Sequence, residues 1–218
     1  MIRGMGLYTP DAVVDALDVH SWQEPGDGHP EPKIRALKDR CQSTPDSFVW
    51  LGLFEPTRAE LQMVAEIFGL QQLQVEDAAN EAQRPKFELD DTGCGMALLK
   101  VLDYVESTSD VRTGQLAVFV GPWYAVTVRY GQIGDLRGIR ERLETNAELR
   151  SHGPVSVLYA ILDQVVDGYL AVTDEVGIDV ENLETAVFAQ DRAASTPNSI
   201  YRLKRENDAL KQELADLK

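Results

Sequence analysis

Eight carboxylates and no Lys or Arg lie between Val155 and Asp191. The apolar residues among them recur with helical spacing, and no proline interrupts Val155 to Phe188, so the acids ride on one long helix. At about 100° per residue, Asp163, Asp167, Asp174 and Glu181 fall within roughly 40° of one another. Leu158, Leu162, Val165, Val166, Tyr169, Val176 and Val180 take the opposite side. Like charges at i,i+4, such as Asp163 and Asp167, destabilise an isolated helix by roughly 0.2–0.5 kcal/mol. Either strong packing of the apolar side lets the acids remain as a solvated face, or a cation neutralises them. Mg²⁺ suits the second case because it keeps most of its waters and needs one or two carboxylates. Ca²⁺ asks for more oxygen ligands, and no EF-hand loop is present. A further acidic pair, Glu76 and Asp77, sits in "VED" before "NEAQRPKFE". Adjacent residues on a helix point in different directions, so at most one of the two faces any given site.

These carboxylates belong to an acidic chain. The net charge is −15 over 218 residues. That argues against a nucleic-acid partner, which requires a basic surface to replace counterions, and against adsorption to anionic lipid. A composition of 44% hydrophobic and 26% charged residues predicts a folded core. Cys41 and Cys94 form no CxxC, and His20, His29 and His152 are scattered, so a soft-metal cluster is not expected. No apolar signal region opens the chain, and no contiguous stretch reaches the roughly 20 apolar residues of a spanning helix. The expectation is therefore a chain that does not cross a membrane.

The elements that must carry the acids are readable in outline. A strand-like opening runs to about residue 22, and the Pro- and Gly-rich "QEPGDGHPEPK" is a loop. A short helix is expected over Lys33 to Cys41. "FVWLGL", 48–53, reads as a buried strand. Thr57 with Glu60 has capping-box spacing, and Leu61, Val64, Ala65 and Phe68 then recur helically up to Gly69. "QQLQVEDAAN" is a short helix. Strands are expected at 95–106, 114–121 and 123–130, the last two joined at Gly121-Pro122. "LRGIRERLETNAEL" reads as one amphipathic helix. Strands and helices mix without strict alternation, which predicts an α/β fold, an α/β/α sandwich with a mixed sheet, over residues 1–150. Residues 151–218 would follow as long acidic C-terminal helices, the first over Val155–Phe188 and the second from about Pro197.

Taken together, "FVWLGL", "VAEIFGL", "VEDAANEAQRPKFE", "ALLKVLDYV" and "LYAILDQVVDGYLAVTDEV" resemble the cytoplasmic domain of the CorA family of magnesium channels. The resemblance covers roughly residues 48–205. It implies a homo-oligomer, a pentamer around a membrane pore, with this domain at the cytoplasmic face of the membrane. It further implies sensing of Mg²⁺, or another divalent cation such as Co²⁺, between neighbouring subunits, with bound metal favouring the closed channel. Asp77 matches the acidic position of the main inter-subunit site, with Glu76 beside it. Asp163 matches the carboxylate of a second site, and Asp167, Asp174 and Glu181 would extend that acidic surface. The pore helices and the GMN signature of the family have no counterpart in the residues given.

The tail departs from the family pattern after "YRLKRE". With Ile200 at heptad position a, Leu203 is d, Asn207 a, Leu210 d, Leu214 a and Leu217 d. Glu206 and Glu213 fall at g, and Lys211 and Lys218 at e. That is the pattern of a parallel two-stranded coiled coil, which would favour a dimer. The alternative is an ordinary helix packed on the preceding one. Three other functions compete with metal sensing. A ZntB-like zinc transporter domain would differ in the pore, and a plain oligomerisation scaffold would use its acids for solubility. A metal-dependent hydrolase would need carboxylates converging with a base in one pocket, whereas these lie along a helix face.

Overall fold

The computed structural model describes residues 2–18, 30–131, 136–188, 202 and 204–206. Its centre is a seven-stranded sheet. The strands are β1 (Ile2–Tyr8), β2 (Val13–Asp18), β3 (Phe48–Phe54), β4 (Lys86–Leu89), β5 (Gly95–Val105), β6 (Asp110–Gly121) and β7 (Tyr124–Tyr130). Their spatial order is β2-β1-β3-β7-β6-β5-β4. Only β3 and β7 pair in parallel, so the sheet is mixed.

On one face lie α1 (Glu31–Ser43), α2 (Arg58–Phe68) and α3 (Gln72–Ala78). On the other lie α4 (Arg137–Thr145), α5 (Ala147–Ser151) and α6 (Val155–Phe188). Separate apolar clusters fill the two faces, so the architecture is an α/β/α sandwich. The apolar runs of β3 and β7 are buried because helices cover both sides of the sheet centre. In α2 the capping box is complete. Thr57 accepts from the Glu60 amide at 3.2 Å, and Glu60 accepts from the Thr57 amide at 2.7 Å. Gly69 ends the helix in the left-handed region at φ 72°, where a glycine carries no Cβ penalty.

Several expectations change. The opening is a hairpin, β1 and β2. The short edge strand β4 had not been anticipated, because four residues of alternating polarity, KFEL, are too few to register as a pattern. The amphipathic stretch 136–149 is two helices, broken at Asn146. Its side chain accepts from the Leu149 amide at 3.0 Å and so caps α5.

Helix α6 has the bounds expected of it and is 34 residues long. Val157, Ala160, Ile161 and Val165 join the second core, and Val172 and Val176 pack on Leu102. Its apolar side is wider than its contact with the sheet, however. Tyr159, Leu162, Val166 and Leu170 are exposed. By length and composition Val155–Thr185 is also apolar enough to cross a membrane. The expectation had counted contiguous apolar residues and so missed a helix whose apolar residues are interspersed with glycine and acids. One side of that helix is committed to the sheet. The heptad tail lies outside the described residues, apart from 202 and 204–206, which are helical.

Candidate acidic sites

Asp77 sits at the end of α3, above the β4 edge. Lys86 pairs with Leu98, and Glu88 with Met96, across the β4–β5 ladder. Directly opposed residues share a face, and Leu98 and Met96 belong to the core under α2 and α3. Lys86 and Glu88 therefore rise towards Asp77. The Lys86 ammonium donates to Asp77 Oδ2 at 2.5 Å and to Glu88 Oε1 at 2.6 Å. Gln83 donates to the other Asp77 oxygen, Oδ1. These two carboxylates raise the affinity of Lys86 for its proton, the bond to Asp77 contributing most. Glu76 is exposed on the neighbouring direction of α3, its carboxylate accepting from Gln72 at 3.3 Å. One acid of the pair thus faces the site and the other does not.

The loop after α3 is held from below by a buried cation. Lys100 and Gln115 face each other across β5 and β6, 8% and 2% exposed. Lys100 Nζ donates to the Glu81 carbonyl at 2.8 Å and to Gln115 Oε1 at 3.2 Å. Gln115 Nε2 donates to the Ala78 carbonyl at 3.1 Å. Beyond the end of β4 the outer edge of β5 has lost its strand partner, and the Tyr169 hydroxyl of α6 donates to the Lys100 carbonyl there at 2.5 Å. The residue that supports the Asp77 loop is thereby bonded to α6 as well.

Asp163 lies on the other face of the sheet. It is not without a basic partner, contrary to the reading of its own helix. Arg142 of α4 donates from Nη1 to Asp163 Oδ2 at 2.9 Å, with both side chains about half exposed (50% and 40%). Helix α6 lacks Lys and Arg, and the neighbouring helix supplies one. Asp167 and Asp174 are exposed. Seven residues separate them, about 10 Å along the axis, so one ion cannot chelate both directly. Asp163 and Asp167, one turn apart, are close enough to share a hydrated cation.

Among the described residues no group of three or more His, Cys, Asp or Glu could hold a metal ion. The donor chemistry, lone carboxylates, suits Mg²⁺ with its waters retained. Among the described residues no complete cage exists within one copy. Asp77 and Asp163 sit on opposite faces of the sheet, so a single ion cannot join them in the same chain. The sequence reading missed Lys86, Lys100 and Arg142. Two signals were there: a lysine five residues past the Asn-Glu of "VEDAANEAQRPK", and a lone lysine in the apolar run "ALLKVLDYV". A lysine within a buried strand is almost never left unpaired.

Comparison with known proteins bears on the family and the fold. The family model described as CorA-like Mg²⁺ transporter protein matches residues 45–218. The chain is 26% identical over 216 residues to the cobalt/magnesium transport protein CorA of Thermotoga maritima, covering 98% of this chain and 60% of that one. Among solved structures, the full-length CmaX protein superposes with a TM-score of 0.71 at 16% identity, covering 99% of this chain and 61% of that one. The soluble domain of CorA from Methanocaldococcus jannaschii superposes at 0.62 and 16% identity, covering 94% of this chain and 72% of that one. At such identities these structures show the fold. The chain spans about half the length of the curated relatives it matches, 44% and 60% for two of them. With the family model covering most of its length, the chain belongs to the CorA-like Mg²⁺ transporter family.

Proposed function

We propose that this chain is the cytoplasmic, divalent-cation-sensing part of a membrane channel for Mg²⁺ or a related ion. Copies of it assemble around the pore, as a pentamer, and a cation bridges carboxylates across their contacts and favours the closed state. The observation that carries this reading is the isolation of each candidate acid. Asp77 and Asp163, with Asp167 and Asp174 beyond it, each offer an ion no more than one or two carboxylates. Mg²⁺ accepts so few while its waters are retained, and carboxylates of a neighbouring copy would add the ligands that make binding tighter in the assembly. Exposed apolar side chains support such assembly. Phe87 and Leu89 project from β4, Leu73 from α3, and Tyr159, Leu162, Val166 and Leu170 from α6. Exposed apolar side chains grouped on one element, as along α6, are what a contact face offers.

Cations that join copies bind the assembly better than the separated chain, so metal and association promote each other. The test is sedimentation and thermal melting in millimolar MgCl₂ against NaCl at equal ionic strength. Mg²⁺ should raise both the melting point and the oligomeric fraction, and Asp77→Asn should abolish most of that rise. An identical response to both salts, or an unchanged one in Asp77→Asn, would sink the reading.

Lys86 adds a prediction of its own. Its ammonium occupies the carboxylate that the cation needs, so metal and Lys86 compete for Asp77. Lys86→Met is expected to strengthen the Mg²⁺ response about tenfold in midpoint concentration, roughly the 1–2 kcal/mol of a displaced charge-assisted bond. Isothermal titration on the two proteins reads this directly. A weaker response in Lys86→Met would mean that Lys86 organises the site rather than competing for it.

A further inference from the structure

A carboxylate outside these sites is buried with no hydrogen-bond donor to it among the described residues. Glu206 is 9% exposed, and neither of its side-chain oxygens has a hydrogen-bond partner. Among the described residues the cation paired with it is Arg202, whose Nε one turn earlier is 3.8 Å from Oε1, too far for a hydrogen bond, and whose side chain is 48% exposed. The other described groups that act on Glu206 are acidic. Asp110, the first residue of β6, lies within hydrogen-bonding reach, and Asp179 of α6 is close by. Asp179 is itself engaged by the Tyr104 hydroxyl of β5, a group that also feels Glu175. Three elements, the β5–β6 hairpin, α6 and the helical residues 204–206, thus meet around carboxylates.

Two ionised carboxylates are acceptors only and cannot bond each other. A protonated one can donate to its neighbour. A bare charge in this position would have only the half-exposed Arg202 guanidinium, 3.8 Å away, to offset it among the described residues, and a buried acid so placed answers by keeping its proton. We propose that the Glu206 carboxyl carries a proton and donates it in a hydrogen bond to Asp110, so that this contact latches the 204–206 helix to the hairpin and to α6. The latch is made at low pH and opens as pH rises. Burial raises the affinity of Glu206 for its proton, Asp110 and Asp179 add to that, and Arg202 opposes it. The stability the latch contributes is complete below the ordinary glutamate value of about 4.3. It is lost as pH climbs through the raised folded-state value. Because α6 also reaches Lys100 through Tyr169, the latch acts on the helix that is tied to the Asp77 loop. The latch uses none of the acids assigned above to metal, and it stands or falls independently of them.

The test is amide hydrogen exchange on the whole chain from pH 4.5 to 8, corrected for the intrinsic pH dependence of exchange. Protection of the amides around 204–206 should fall about tenfold or more as Glu206 ionises, while the β3 and β7 amides hold theirs. Glu206→Gln, a neutral side chain of the same shape, should keep the segment protected at pH 8, and Asp110→Asn, which removes a carboxylate that raises the proton affinity of Glu206, should move the loss of protection to lower pH. Flat protection in the wild type would overturn the proposal, and so would a Glu206→Gln profile that follows the wild type. A further arm adds Mg²⁺ or equal-ionic-strength NaCl at pH 8. Protection restored by Mg²⁺ alone would mean that a bridging cation, and not a proton, joins these carboxylates, and would likewise overturn it.

Discussion

Arg150→Met is expected to cost about 3 kcal/mol of folding stability. Arg150 is 6% exposed, and its guanidinium donates to five backbone carbonyls. Nη1 bonds Leu143 and Glu144 at 2.7 Å each, at the C-terminal end of α4. Those carbonyls have no partner within their own helix, and a cation there also faces the negative end of the helix dipole. Nε and Nη2 reach Thr9, Pro10 and Asp11 at 3.2–3.4 Å, in the β1–β2 turn. One side chain thus fastens the sheet edge to the helix layer that carries Arg142, the partner of Asp163. Methionine preserves much of the stem's packing, so the loss isolates the hydrogen bonds. In a chain of this size it should appear as a melting point lower by about 6–12 °C. Urea denaturation checks it, and a loss below about 1 kcal/mol would mean that water replaces the guanidinium at little cost. Lys keeps the charge but not the fork, and Arg150→Lys should fall between the two.

Lys100→Met is expected to cost about 2 kcal/mol and to loosen the loop between α3 and β4. Removing a buried charge is not by itself destabilising, since an apolar side chain of similar length avoids the desolvation penalty. The cost comes from what remains. The Glu81 carbonyl and Gln115 Oε1 lose their donor in a place where Gln115 is 2% exposed. The Glu81 bond is also what holds the loop that delivers Gln83 and Lys86 to Asp77. Hydrogen exchange across residues 79–85 should therefore speed up, and the Mg²⁺ response proposed for Asp77 should weaken alongside. Unchanged exchange in that loop would show that the α3 end and the β4 ladder position Asp77 without Lys100.

How far the fold could be read in advance follows from how local each cause is. The capping box of α2 needs residues three apart, and Gly69 closes the helix within the same window, so that helix was legible. Helix α6 was legible because a proline-free apolar period of 34 residues has no competing interpretation. Strand β4 was not, since its place in the sheet comes from pairing with β5, and a four-residue run carries no period of its own. The break between α4 and α5 turns on the Asn146 side chain, a favoured N-cap whose signal is hidden because the amphipathic period runs on across it.

Charge shows the same division. The sequence by itself determined that α6 carries its acids without a cation of its own, that Glu76 and Asp77 cannot face the same way, and that the chain has the family's order of motifs. The first two statements depend only on composition and on the helix repeat, and the third on the resemblance of the motifs to those of the family. The tertiary structure decided which acids are compensated and where. Arg142 reaches Asp163 from 21 residues away in sequence, and Lys86 reaches Asp77 from 9. It also decided that Leu162 and Val166 stay exposed, because they flank the line of Val157, Ala160, Ile161 and Val165 that meets the sheet. Ion pairs and burial are set by which elements meet across the sheet, and no spacing within one helix encodes its neighbour.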